Sequence, residues 1–207
     1  MQILHLSTQL IIMQFELSNL YHIYNRGNNK QTIFFKRDNY LYFLNKVKKN
    51  IAPNCDILSW CLMPNHFHFL INANVNTVKL VKESPIKINA LTEGFRLLLS
   101  SYTQGINKQN NRTGNLFQQK TKFKCVSDEN TNYGYTVFQY THQNPFKAKL
   151  VTKLEDWEFS SFADYAGLRN GKLCKIEMAT QLFDLNKDSF LQESYKELPD
   201  ELLQKIF

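Results

Sequence analysis

Between Asp56 and Ile71 stand two strand-like runs, Asp56-Ile57-Leu58-Ser59-Trp60-Cys61-Leu62 and His66-Phe67-His68-Phe69-Leu70-Ile71. Only Met63-Pro64-Asn65 separates them, so they are expected to pair as a hairpin or meander. Around this pair the apolar spacing becomes helical. Asp38 can cap a helix in which Tyr40, Leu44, Val47 and Ile51 recur, and Pro53 closes it. Leu91, Phe95, Leu98, Tyr102 and Ile106 trace a second amphipathic helix, followed by a polar loop from Asn107 to Asn115. Upstream, Tyr21-His22-Ile23-Tyr24 reads as a strand ended by the turn signal Arg26-Gly27-Asn28-Asn29. Downstream, residues 120–126 read as a short strand. A third helix begins at Asp128 or Asn130 and is expected to stop near Pro145. The order β-α-β-β-α-β-α predicts an α+β fold of the ferredoxin-like, split βαβ kind: an antiparallel sheet with helices packed on it.

The chain has 207 residues, enough for one sizeable core and an appended tail. The expected division is an N-terminal extension over 1–14, with Met13 as an alternative start, a main domain over 15–165, and a C-terminal tail of one or two small helices over 166–207. Seven Gly and five Pro exclude a collagenous or low-complexity chain. A formal charge of +7 favours a polyanionic partner. Cys55, Cys61, Cys125 and Cys174 form neither a C-x-x-C pair nor a disulfide framework. There is no uninterrupted apolar run long enough to span a bilayer and no convincing signal peptide, so no membrane partner and a cytoplasmic location are expected.

His66 and His68 flank Phe67 on a strand, which puts both imidazoles on one face. Two such rings can hold one divalent metal if a third ligand arrives from elsewhere, or they are two half-buried histidines of an ordinary strand. Tyr140 and Asn144 lie at i and i+4 and share a helix face. A phenol and an amide oxygen presented together suit a phosphodiester-cleaving site. The competing reading makes Tyr140 a core residue beside Tyr133, Tyr135 and Phe138, and Asn144-Pro145 a simple helix end. Lys120, Lys122 and Lys124 alternate along one strand, with Lys108 and Arg112 in the preceding loop; Lys46, Lys48 and Lys49 read as a solvated face.

The run Met63-Pro64-Asn65-His66-Phe67-His68-Phe69-Leu70-Ile71 resembles the HUH motif of the Y1 tyrosine transposases, the IS200/IS605-like and REP-associated family. The resemblance continues in order through Ser101-Tyr102-Thr103, Gly114-Asn115-Leu116-Phe117-Gln118, and the segment from Tyr140 to Ala148 with its Asn144-Pro145 pair. It ends in Asp156-Trp157-Glu158-Phe159-Ser160-Ser161-Phe162, which is similar to the W-x-x-S-S segment of the REP-associated branch. The chain departs from the family pattern where Phe146 and Lys149 replace a valine and a glycine, and where extra residues follow Gln118.

The resemblance implies that His66 and His68 bind Mg2+ or Mn2+, that Asn144 completes the site (Gln143 being a weaker substitute), and that Tyr140 is the nucleophile. It implies cleavage of single-stranded DNA at hairpins through a 5′-phosphotyrosine link. The alternating charges of Lys120, Lys122 and Lys124, with Arg112 in the loop before them, read as DNA contacts for such a substrate, the competing reading being a solvated surface. No G-x-x-x-x-G-K-[ST] loop is present, in keeping with strand transfer that needs no ATP. Family members include homodimers and monomers, so the resemblance leaves assembly open. Two other readings compete: a relative that binds hairpins but has lost cleavage, and a metalloenzyme of small substrates that uses the histidines without the tyrosine.

Overall fold

The computed structural model describes residues 15–83, 87–127 and 132–206. Its main sheet has four strands: β1 (Leu20–Arg26), β2 (Asp56–Met63), β3 (His66–Asn72) and, late in the chain, β6 (Lys122–Cys125). They stand in the order β2-β3-β1-β6, and every neighbouring pair is antiparallel. Helix α1 (Arg37–Asn50) links β1 to β2. A short helix α2 (Val75–Val78), a two-stranded ribbon of β4 (Leu80–Lys82) and β5 (Ile88–Asn89), and the long helix α3 (Ala90–Gln109) link β3 to β6. This is the expected split βαβ arrangement, and Pro64-Asn65 makes the expected hairpin turn between β2 and β3.

The pleat divides the side chains between two layers. Phe67 and Phe69 are fully buried on one face, where their rings meet Phe43 of α1 and Phe95 of α3. Tyr102, read as core from its spacing, is buried there too and donates its hydroxyl to the Ile33 carbonyl at 2.7 Å. Burying each such ring contributes about 1.5–3 kcal/mol relative to exposure. The opposite face carries His22, Tyr24, His66 and His68 and is covered by α4 (Tyr133–Lys147), which packs on β2 and β3. The outer edge of β2 is closed by residues 159–161. Leu62 N–H bonds the Phe159 carbonyl, and Ser161 N–H bonds the Trp60 carbonyl, so the sheet offers no bare edge there.

Several expected boundaries move. Asp38 lies inside the first turn of α1. The cap is supplied from within by Asn39, whose Oδ1 accepts from the Phe35 and Lys36 amides. Helix α3 runs through Asn107 to Gln109. Residues Asp128 and Asn130, expected to begin the third helix, lie outside the described residues.

Helix α4 does not stop at Pro145 but continues to Lys147. A proline in the last turn removes only one intrahelical bond. The true stop is at Lys149, with φ 57°: Lys149 N–H bonds the Phe146 carbonyl and Leu150 N–H bonds the Pro145 carbonyl, a Schellman end. Lysine in this left-handed conformation costs roughly 1 kcal/mol relative to glycine. Lys149→Gly is therefore expected to raise stability by about 0.5–1 kcal/mol in urea unfolding. Beyond Tyr165 the described residues form three short helices rather than one or two: α6 (Ile176–Leu182), α7 (Phe190–Glu193) and α8 (Asp200–Leu203), after α5 (Phe162–Tyr165). No described helix is long and apolar enough to cross a membrane.

Candidate active site

Register fixes which side chains share the α4 face of the sheet. Tyr24 pairs across with His68 and with Lys122, and His68 pairs with Cys61; in the next row Arg26 pairs with His66. Directly opposed residues of an antiparallel pair point to the same side. Helix α4 crosses above this surface and is held by the rest of its circumference. Val137 and Phe138 are buried, and His142 Nε2 meets Ser161 Oγ at 2.7 Å. Gln143 Nε2 donates to the carbonyls of Ser194 and Lys196 in the tail. That leaves Tyr140 and Asn144, one turn apart, over the histidines. A cavity of about 380 Å3 opens between helix and sheet, lined by His66, His68, Tyr140 and Asn144 together with Tyr24, Asn25, Arg26, Gln118, Lys120 and Lys122. The His66 and His68 ring centroids are 5.0 Å apart, and the Tyr140 ring stands edge-on to His68 at 5.5 Å.

Neighbouring groups decide which nitrogen of His66 is available. Asn65 Nδ2 donates to the Lys30 carbonyl at 3.3 Å, so its Oδ1 is turned to His66 Nδ1 at 2.6 Å. An oxygen there accepts, so His66 Nδ1 carries the proton and Nε2 keeps its lone pair. Burial, the Arg26 charge and, in opposition, a hydrogen bond with Asn144 leave the His66 pKa lowered to about 4. His68 is lowered well below the ordinary value by burial and by the neighbouring His22 and His66. Burial pushes the Tyr140 phenol up to about 12, partly offset by its hydrogen bond with Asn144. At neutral pH the imidazoles are thus uncharged donors and the phenol holds its proton.

No three His, Cys, Asp or Glu side chains cluster as metal donors among the described residues. The converging donors are two neutral imidazoles and an amide oxygen. That set fits a divalent cation of mixed nitrogen and oxygen preference and leaves its double charge uncompensated by any carboxylate.

Of the expected DNA contacts, Lys120 and Lys122 line the cavity. Lys124 shares their face but its ammonium donates to the Lys205 carbonyl of the tail. Arg112 sits in the turn after α3, its amide bonded to the Asn107 carbonyl, and does not line the cavity. Gln143 faces the tail, not the histidines. The sequence reading missed Arg26, Tyr24, Asn65 and Gln118. Alternation from Tyr24 gave the face of Arg26, but pairing with β3 decides that this face meets the histidines. Asn25 was missed as well. Its Nδ2 donates to the Gln118 carbonyl and to Thr121 Oγ1, and so draws the Lys120 segment to the site.

The sequence matches no protein-family model and no curated protein. A solved structure, that of a REP-associated tyrosine transposase bound to a REP hairpin, superposes with a TM-score of 0.57 at 16% identity, over 75% of this chain and 84% of that one. The likeness is one of fold.

Proposed function

We propose that this chain cuts and rejoins single-stranded DNA beside hairpins, as a metal-dependent tyrosine transposase, with Tyr140 as nucleophile. The observation that carries this reading is the meeting of the Tyr140 phenol with His66, His68 and Asn144 around one cavity. The hairpin bound by the solved structural neighbour supports the choice of substrate.

His66, His68 and Asn144 would hold Mg2+ or Mn2+. A cation bound there supplies polarisation of a phosphate oxygen and a field that favours phenolate. Tyr140 needs this help, because burial raises its pKa to about 12. In the cleavage step the phenol oxygen forms a bond to phosphorus while the bond from phosphorus to the 3′ oxygen breaks. The phenol gives up its proton, and the departing strand ends in a 3′-OH. The 5′-phosphotyrosine link conserves the diester, so a 3′-OH can later attack it, restore a phosphodiester and return the phenol without ATP. Arg26, Lys120 and Lys122 would neutralise phosphates next to the reacting one, which predicts that binding falls steeply with salt.

The test is incubation with end-labelled hairpin oligonucleotides and Mn2+, followed by denaturing electrophoresis for a covalent protein–DNA band. Absence of such a band across a broad hairpin library, with hairpin binding intact, would replace this reading with that of a pure binding protein. Asn144→Ala is expected to shift the Mn2+ concentration needed for half-maximal adduct upward by at least about tenfold, since a direct donor is lost.

A further inference from the structure

His22 of β1 is wholly buried, does not line the cavity, and has no part in the chemistry above. Its Nε2 faces His68 Nδ1 at 2.9 Å, with the two ring planes 16° apart and the centroids separated by 5.1 Å, an edge-to-edge pair joined through their nitrogens. The two residues are diagonal neighbours, since His22 lies opposite Leu70 while Tyr24 lies opposite His68. Resting on the cation site proposed above, we infer that His22 is a positioning residue for His68: it accepts the Nδ1 proton of His68 and thereby keeps Nε2 as a bare lone pair toward the cation.

The argument is one of proton counting. A neutral imidazole carries one proton, and a nitrogen that bears it cannot ligate. One proton lies between His22 Nε2 and His68 Nδ1. If His22 owns it, the proton of His68 must sit on Nε2 and the ligand is lost. If His68 owns it, Nε2 is available and His22 carries its own proton on Nδ1. Nothing among the described residues hydrogen-bonds His22 Nδ1, so either choice leaves an unpartnered group there and the isolated pair has little to fix its tautomer. His66 differs, because the Lys30 carbonyl locks Asn65 and Asn65 locks the ring. A cation at the site breaks the tie by demanding the lone pair on His68, and His22 supplies the acceptor that makes this arrangement cheap. Partners of this type commonly set metal affinity within a factor of about 10–100.

The experiment is Mn2+ titration of the full chain, followed by electron paramagnetic resonance, in four forms. His66→Ala should lose at least about a hundredfold in Mn2+ affinity, His22→Phe about 10–100-fold, and His22→Gln, whose amide oxygen can replace Nε2 as acceptor, should stay within about threefold of the parent. A residue that only filled the core would tolerate Phe as well as Gln. Parent-like Mn2+ affinity in folded His22→Phe, or equal losses in both His22 variants, overturns the inference while leaving the cation site standing. Parent-like affinity in His66→Ala overturns the cation site itself, and the inference with it. Should His22→Phe fail to fold, 15N NMR of the parent with Mg2+ decides. A proton on His68 Nδ1 supports the inference, and a proton on Nε2 overturns it.

Discussion

Tyr140→Phe is expected to abolish the covalent band formed with hairpin DNA and Mn2+, a loss of at least about a thousandfold, while Tyr24→Phe forms it as the parent does. The contrast matters because two phenols line the cavity. Tyr140 stands edge-on to His68 and shares a hydrogen bond with the candidate ligand Asn144, whereas Tyr24 stacks on His22 from the sheet below. Removal of one oxygen cannot be compensated by the remaining ring, since no other atom at that place can form the ester. A band that survives in Tyr140→Phe and vanishes in Tyr24→Phe would move the nucleophile from the helix to the strand.

Acid should unfold the protein sharply. Burial lowers the pKa of His22 to about 3, that of His66 to about 4 and that of His142 to about 3, and lowers His68 as well. The unfolded chain takes up a proton on each near the ordinary value of 6.5, while the folded chain does not. The unfolded state therefore binds more protons below 6.5. The stability carried by these groups is complete above pH 6.5 and declines as pH falls toward 4 and 3. Each contributes a slope of about 1.4 kcal/mol per pH unit in that window. His22, His66 and His142 together reach the 5–15 kcal/mol typical of a domain within roughly two to three units, and the lowering of His68 acts in the same direction, so loss of the folded circular-dichroism signal is expected near pH 4. Unfolding with a shallow proton uptake, near one per molecule, would contradict the burial of these rings. His142→Gln should reduce the uptake by about one proton, because its shift arises from burial alone.

Much of this molecule is legible along the chain. The three-residue gap between two strand-like runs, the heptad-like spacing of Leu91 to Ile106, and the alternation of His66, Phe67 and His68 each state a local rule that the packing obeys. What escaped is of two kinds. Helix ends were misplaced where a side chain or a backbone conformation did the stopping. Asn39 caps from inside α1, and Lys149 ends α4 from an angle more often held by glycine. Site residues were missed where a partner forty or more positions away assigns the face. The roles of Arg26 and His22 depend on β1 lying beside β3 in one register. No local pattern around Tyr21-His22-Ile23-Tyr24 reports that register. The pair Tyr140 and Asn144 could be found in advance because their relation is internal to one helix turn.

The strap formed by the last part of the chain bears on how a captured DNA end would travel. Gln143 grips the Ser194 and Lys196 carbonyls, and Tyr133, ten residues before Gln143 on the same helix, reaches the Lys205 carbonyl. Phe190 is wedged among Phe138, His142 and Tyr165. Lending this helix to a sister molecule would mean unbuckling the polypeptide's own end from it at each of those points. On the proposed chemistry, a strand esterified to Tyr140 would stay moored where it was severed, and the incoming hydroxyl would make the journey.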